Sequence, residues 1–406
     1  MPHEMEKQFI KASVDLFNAE KRDQVEEFNE RLIELSRIID KSAYLRENIS
    51  PLDVRDAISL LSWQRTLIYV SDKEFVDHIK STVLVTKTYH FYYPIYNLRE
   101  PSNNVKLGYS TILTFDALPK EIKEKFLLSW KNYFTIYTEW AKTEEEIVNR
   151  KKTATFLHLK VKANGSRKAA EKASNFVKDS VSILSFLYWV YFPINHCFYI
   201  IEGSKDSGGY GDYFYIPSLY IGKYQPKFHK RISELTDIII EPKPTTIERK
   251  IKNSLRIFGI QKSITNEQVR FVLLVTCLES LLLTESDRGC MGWRLAEKTA
   301  FLAKNRKIVN DGIKLAYKKR SAFIHAKTKE KKCYLITEDD IHTMEGTVIS
   351  VLRKLLEFKK LGYKEIEKKV DVKSIDGYVE EMKFRENNNR KALTRLKSEY
   401  EKKEEG

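Results

Sequence analysis

The stretch Ala316-Tyr-Lys-Lys-Arg-Ser-Ala-Phe-Ile-His-Ala-Lys327 closes a helical pattern and carries a guanidinium at Arg320 and an imidazole at His325, five positions apart. On a regular helix, positions i and i+5 lie about 140° apart and roughly 7.5 Å along the axis. One straight helix therefore cannot aim both groups at one atom. Convergence needs the helix to end between them, or a second copy of the chain to supply the opposite wall. A permanent cation able to grip two phosphate oxygens, beside an imidazole able to move a proton near neutral pH, suffices to cleave a phosphodiester without a metal. Taken singly, such a histidine is more often structural and such an arginine more often an ion-pair partner, so the information lies in their joint occurrence.

Working outward, the surroundings read as helices. Lys307 to Ile324 forms the motif helix, with Ile308, Ile313, Leu315, Ala316 and Phe323 apolar; Lys314, Lys318 and Lys319 beside them read as a solvated face or as a track for phosphates. Upstream, Thr246 to Phe258 has apolar residues at helical spacing and Gly259 as its expected C-terminal cap. Thr265 or Asn266 caps the next helix, whose Val269 to Leu283 stretch is almost wholly apolar. Glu279 sits on that helix as a carboxylate among core residues, costly unless a cation pairs with it, and Arg320 is the candidate; the competing reading turns Glu279 to solvent. A further helix covers Trp293 to Ala303. Downstream, Thr337 caps a helix carrying Glu338, Asp339 and Asp340 at its positive end and running through Val348, Val351 and Leu355 to Phe358.

Arg320-Ser-Ala-Phe-Ile-His325 fits the Arg-x4-His signature of the HEPN superfamily, and its Arg-Ser opening resembles the Apea-like branch. The likeness covers roughly Thr245 to Leu361, with a fainter echo at Tyr89 to Leu98 and Val105 to Phe115. Many members carry Asn or Asp after the arginine, where this chain has Ser321. The resemblance implies an antiparallel helical bundle over residues 245–362 acting as a metal-independent endoribonuclease, with Arg320, His325 and Glu279 catalytic and no cofactor. Tyr317, Ser321, Lys327 and Lys319 would orient the phosphate. It further implies RNA as partner, transfer RNA among the candidates, a homodimer through the bundle, and bacterial anti-phage defence or toxin action with a phage-derived trigger or a neutralising partner. The alternatives are a noncatalytic module that binds RNA or a nucleotide, and a protein-interaction scaffold.

The whole chain fits this frame. Its 406 residues imply two or three domains, and 71 Lys and Arg against 56 Asp and Glu give a net charge of +15. From Thr245 to Glu330 there are 18 Lys or Arg and 8 Asp or Glu, a net +10, so most of the excess sits with the motif and suits a polyanionic partner. Four scattered cysteines without Cys-x-x-Cys spacing, and dispersed histidines, speak against a zinc site and a disulfide framework and fit a reducing cytoplasm. The N-terminus has no signal-peptide pattern. Ser180 to Ile201 is uncharged and long enough to span a bilayer, but Pro193, Asn195 and His196 divide it into a buried helix and a strand.

The expected fold class is α+β, mostly helical: a mixed N-terminal region followed by the bundle. Residues 1–152 hold helices, including one opened by Ser50-Pro51-Leu-Asp53 and running to Trp63, then strands at Tyr89 to Leu98 and Val105 to Phe115 and an aromatic-rich helix from Pro119 to Trp140. Those aromatics read as core packing rather than as a base-stacking platform. Residues 153–244, one domain with the preceding block or separate from it, hold a strand at Phe156 to Ala163 and a helix capped by Ser166. Strands at Phe198 to Glu202 and Tyr213 to Ile221 flank Gly203 to Gly211, read as a hairpin loop rather than a phosphate cradle because Gly-Lys-Ser/Thr is absent. Glu241-Pro-Lys-Pro244 is a linker, and residues 363–406 form a charged helix or tail.

Overall fold

The computed structural model describes residues 3–22, 24–63, 70–95, 98, 105–136, 155–189, 192, 194, 196–204, 207–211, 229–284, 291–303, 306–324 and 335–357. They are mostly helical with one antiparallel sheet, an α+β arrangement. The chain divides into two compact units: Met1–Tyr188 with Phe192–Thr236, and Trp189–Tyr191 with Asp237–Gly406. Among the described residues no helix is long and apolar enough to cross a membrane. Ser180 falls in a helix that ends at Tyr188 and Ile201 in a strand, the division of that uncharged segment expected from its proline and polar residues.

The first unit is built on six strands: β1 (Lys87–Ile95), β2 (Val105–Leu107), β3 (Ser110–Thr114), β4 (Thr155–Ala163), β5 (His196–Ile201) and β6 (Ser207–Gly211). Their order is β2-β3-β4-β1-β5-β6. Two expectations change here. Val105 to Phe115 is not one strand: Gly108 takes a positive φ of 58°, which a glycine adopts without penalty, and folds the segment into a β2–β3 hairpin. Gly203 to Gly211 is not wholly loop, because β6 pairs with β5 through backbone groups that need no side chains. The expected strand at Tyr213 to Ile221 lies outside the described residues. Blocks 1–152 and 153–244 are interleaved rather than side by side, since β4 lies between β3 and β1, with Leu157 opposite Ile112 and Leu159 opposite Phe91.

Five helices precede the sheet: α1 (His3–Lys21), α2 (Val25–Lys41), α3 (Ala43–Asn48), α4 (Pro51–Trp63) and α5 (Asp72–Thr82). They share a core of Phe9, Leu16, Phe17, Leu35, Phe75 and Ile79 with further aliphatic residues. Helix α6 (Lys120–Ile136) lays Ile122 and Phe126 against Tyr92, Phe156 and Phe198 at one end of one sheet face. Helix α7 (Ser166–Tyr188) packs on the other face, where Ser180 Oγ meets Ser110 Oγ at 2.7 Å and donates to the Leu107 carbonyl at 2.8 Å.

Asp53, rather than the expected Ser166, satisfies the start of α7. Its carboxylate accepts from the amides of Arg167 (2.8 Å) and Lys168 (3.3 Å), and from that of Ser50 (2.9 Å) at the start of α4. One buried acid thereby serves two helix N-termini, each a region of positive potential. Gly165 makes room for it, because a Cβ there would run into the carboxylate.

The second unit contains α9 (Thr246–Ser263), α10 (Glu267–Leu282), α11 (Met291–Leu302), α12 (Arg306–Ile324) and α13 (Glu338–Glu357); α8 (His229–Ile240) carries the division between units at Thr236 and Asp237. Helix α10, apolar nearly all round, touches α9, α11, α12 and α13, as its composition demands. It runs antiparallel to α9, with Ser254 Oγ 2.7 Å from Ser280 Oγ and Lys250 Nζ donating to the Leu283 carbonyl at 2.7 Å. Gly259 does not end α9 as expected. The helix continues to Ser263 because Phe258 and Gln261 are fully buried, and that packing outweighs the roughly 1 kcal/mol cost of a mid-helix glycine.

Candidate functional site

Helix α12 divides its residues by angle. Ile313 and Ala316 are buried against the bundle, and Arg320 follows them on the same face. The side chain of Arg320 therefore leaves α12 toward α10, where Glu279 stands in the last turn. Its Nη2 donates to Glu279 Oε2 at 3.2 Å. Burial raises Glu279 above the ordinary carboxyl range, and the charge of Arg320 opposes that shift. The pair is incompletely satisfied: among the described residues, Arg320 Nε and Glu279 Oε1 are buried without a hydrogen-bond partner. A guanidinium can make two parallel bonds to a carboxylate, and here it makes one. The Arg320 side chain as a whole is 21% exposed, so an anion meets the guanidinium at that open part and not at the buried Nε–H.

Tyr317 lies one turn before Arg320, with the guanidinium carbon 5.7 Å from its ring centroid. Its ring approaches the first turn of α11 because residue 292 is glycine: a Cβ there would come within 2.6 Å of the Tyr317 ring. Ser321 is half-buried on the next position of α12.

Lys319 is placed otherwise than a phosphate ligand would be. Its Nζ donates to Asp340 Oδ2 at 2.6 Å and to the Leu335 carbonyl at 3.2 Å. Asp340 also closes the capping box of α13, accepting from the Thr337 amide at 2.9 Å while its own amide donates to Thr337 Oγ1 at 3.3 Å. Burial alone would raise Asp340, but the bonds from Lys319 and Thr337 outweigh it and hold it below the ordinary range. Lys319 is thus a tether between α12 and the start of α13. Asp340 as its anchor was missed in the sequence, although the Thr337-x-x-Asp340 spacing that makes it a capping residue was there to see.

His325 and Lys327 lie outside the described residues; α12 is described to Ile324. Of the expected site residues, the structure brings Arg320, Glu279 and Tyr317 together, sets Ser321 beside them on α12 and ties Lys319 to α13.

Among the described residues, no group of three or more His, Cys, Asp or Glu side chains converges as a metal-binding cluster. No protein-family model matches the chain, and neither does any curated protein sequence or solved structure.

Proposed function

We propose that the second unit is a metal-independent endoribonuclease module of the HEPN kind, its bundle formed by α9 to α13. The observation that carries this reading is the Arg320–Glu279 pair. A carboxylate on the apolar central helix holds the motif arginine through one Nη, while part of the guanidinium side chain stays open to solvent.

In the proposed reaction the ribose 2′-hydroxyl attacks the adjacent phosphorus. The bond from phosphorus to the 5′-oxygen breaks, leaving a 2′,3′-cyclic phosphate and a 5′-hydroxyl. His325 takes the proton of the 2′-hydroxyl and returns one to the departing 5′-oxygen. Arg320 donates to the phosphorane oxygens, where charge accumulates in the transition state. Glu279 is a positioning residue that acts through Arg320, and Tyr317 supports the guanidinium face. Lys319 acts here as a tether, with Ser321 and Lys327 left as phosphate-orienting groups.

A second copy completes the site. Arg320 and His325 cannot converge along one straight helix, and α12 presents an exposed apolar stripe among the described residues: Ile308 (76% exposed), Leu315 (49%) and Phe323 (42%), with Gly312 open beside them. A twofold axis along that stripe would face two motif helices across one groove. Defence against phage, with a trigger or neutralising partner, is the setting this reading implies.

The test is cleavage of total and transfer RNA in EDTA by wild type, Arg320→Ala and His325→Ala, with end-group analysis. Cyclic-phosphate ends made by wild type alone are expected. Folded wild type that binds RNA but cuts none, even in extract from phage-infected cells, would leave a noncatalytic RNA-binding module.

A further inference from the structure

The two faces of the sheet in the first unit are unlike. Along β4 the residues beneath α7, Leu157, Leu159, Val161 and Ala163, are buried from end to end. The residues alternating with them run from Phe156, buried, through His158, half-buried, to Lys160 and Lys162, both exposed. Helix α6 seals only the Phe156 end of that face, over Tyr92 and Phe198. Strand register identifies what lies beyond. Lys106 on β2 is opposite Thr111 on β3, which is opposite His158; Lys160 is opposite His90, and Lys162 opposite Thr88. Residues opposite one another in an antiparallel pair share a face. The six strands hold Lys87, Lys106, Lys160 and Lys162 but no Asp or Glu. Among the described residues, the carboxylate bonded into the open part of the face is Glu202, just past β5, which accepts from Lys160 Nζ at 3.1 Å. That ion pair is open to solvent, with both side chains 52% exposed, and therefore weak. Lys106 and Lys162 are exposed and have no acidic partner among the described residues. His90 and His158 bond each other at 3.0 Å and add no charge at neutral pH, because burial lowers both, His158 to about 4.

We propose that this open sheet face is an RNA-binding surface carried by the first unit, with Lys106, Lys160 and Lys162 holding the phosphates of an extended single strand. Side chains at i and i+2 on a strand stand about 6.6 Å apart, and β2 lies two strand spacings, about 10 Å, from β4. The three ammonium groups therefore spread over a flat patch instead of lining a pocket, which suits successive phosphates of one chain laid across the strands. Three cations against one weakly held carboxylate give the patch the sign that a polyanion needs. The Thr111 hydroxyl and the imidazoles between the lysines are uncharged polar groups, compatible with sugars and base edges. A lipid surface would need exposed apolar side chains, and Ile200, the large apolar residue opposite His90, is packed against the α6 cluster. Contacts of this kind read phosphates and not sequence, so binding is sequence-blind and salt-sensitive. The choice of RNA over DNA rests on the ribonuclease reading of the second unit; the attraction for phosphates does not.

The test uses full-length protein and a fluorescein-labelled 2′-O-methyl oligouridine, which has no nucleophilic hydroxyl and cannot be cut. Anisotropy gives its affinity from about 50 to about 200 mM salt. The triple variant Lys106→Gln, Lys160→Gln, Lys162→Gln should bind about tenfold or more weakly at the low-salt end. Its plot of log affinity against log salt should be shallower by roughly 2, since each phosphate contact to a single strand contributes about 0.7. The triple variant Lys7→Gln, Lys11→Gln, Lys41→Gln removes the same charge from α1 and α2 and should leave the slope unchanged. All six positions are exposed, and circular dichroism checks that both variants fold. An unchanged slope in the sheet variant, or equal losses in both variants, overturns the surface, the second outcome leaving net charge alone. Displacement of the RNA by poly-glutamate at equal charge concentration also overturns it, in favour of an acidic polypeptide. Cleavage plays no part in the readout, so failure here is distinct from failure of the ribonuclease reading.

Discussion

At the residue scale the Arg320–Glu279 pair was legible because a lone carboxylate on an apolar helix demands a cation, and only a few were near in the pattern. The hydrogen-bonded pair of His90 on β1 and His158 on β4, with Nδ1 and Nε2 3.0 Å apart, was not legible, because its members are 68 positions apart and joined only by strand register. The state of Glu279 yields a prediction with a definite sign. Its folded pKa is raised, so its contribution to stability is present below the ordinary carboxyl range and is lost as pH rises through the folded value. Gln resembles the protonated acid but does not titrate. The melting temperature of Glu279→Gln relative to wild type should therefore rise from about pH 4 to about pH 7, in scanning calorimetry at several pH values. A difference that stays flat or falls would mean that Arg320 holds the carboxylate ionised more firmly than burial opposes it. If Glu279 positions Arg320, the same variant should cut RNA more slowly with little change in substrate affinity.

At the scale of elements, most helices were legible from periodicity and caps, and the misses have identifiable causes. Gly259 was read as a stop because a local signal was weighed without the burial of Gln261, and Ser166 was read as a cap because Asp53 is more than a hundred residues away. Strand order was hidden because β4 enters from a distant segment. Asp53 and Gly165 make a test by double-mutant cycle. Asp53→Ala removes a cap shared by two helices and should cost at least about 1–2 kcal/mol in urea unfolding. Gly165→Ala alone should also destabilise, because its methyl meets the carboxylate, but should cost less in the Asp53→Ala background. Equal costs in both backgrounds would mean that the clash is not with Asp53. In the bundle, Glu345 of α13 is 1% exposed and joins Lys262 (2.8 Å) and Gln261 (3.2 Å) of α9 to Arg270 (3.2 Å) of α10. Burial lowers Lys262 while Glu345 opposes the shift, so removing the acid strands a buried cation. Glu345→Ala should destabilise by about 3–5 kcal/mol, measured by denaturant unfolding, whereas Glu345→Gln, which keeps the acceptor, should cost less.

At the scale of the whole molecule, the question is what covers α12. Ile308, Gly312, Leu315 and Phe323 fall within an arc of about 80° on that helix, and the buried face borders it, with Ala316 about 20° and Ile313 about 80° beyond Phe323. A stripe of this kind beside a reactive motif is unusual on a solitary chain, and glycine at its centre permits a second helix to come close. Self-association is also the assembly that resolves the i, i+5 separation of Arg320 and His325. Leu315→Glu adds charge at an exposed position, so its cost to the single chain should stay within about 0.5 kcal/mol. In a dimer formed along the stripe, the same change places two like charges near the axis. Light scattering should therefore report twice the chain mass for wild type and the chain mass for Leu315→Glu, with RNA cleavage lost together with the dimer at equal protein concentration. Mixing Leu315→Glu with wild type should restore no more activity than the wild-type share accounts for. A wild-type chain that remains monomeric while cutting RNA would instead require α12 to end between Arg320 and His325, so that a single copy brings both groups to the phosphate.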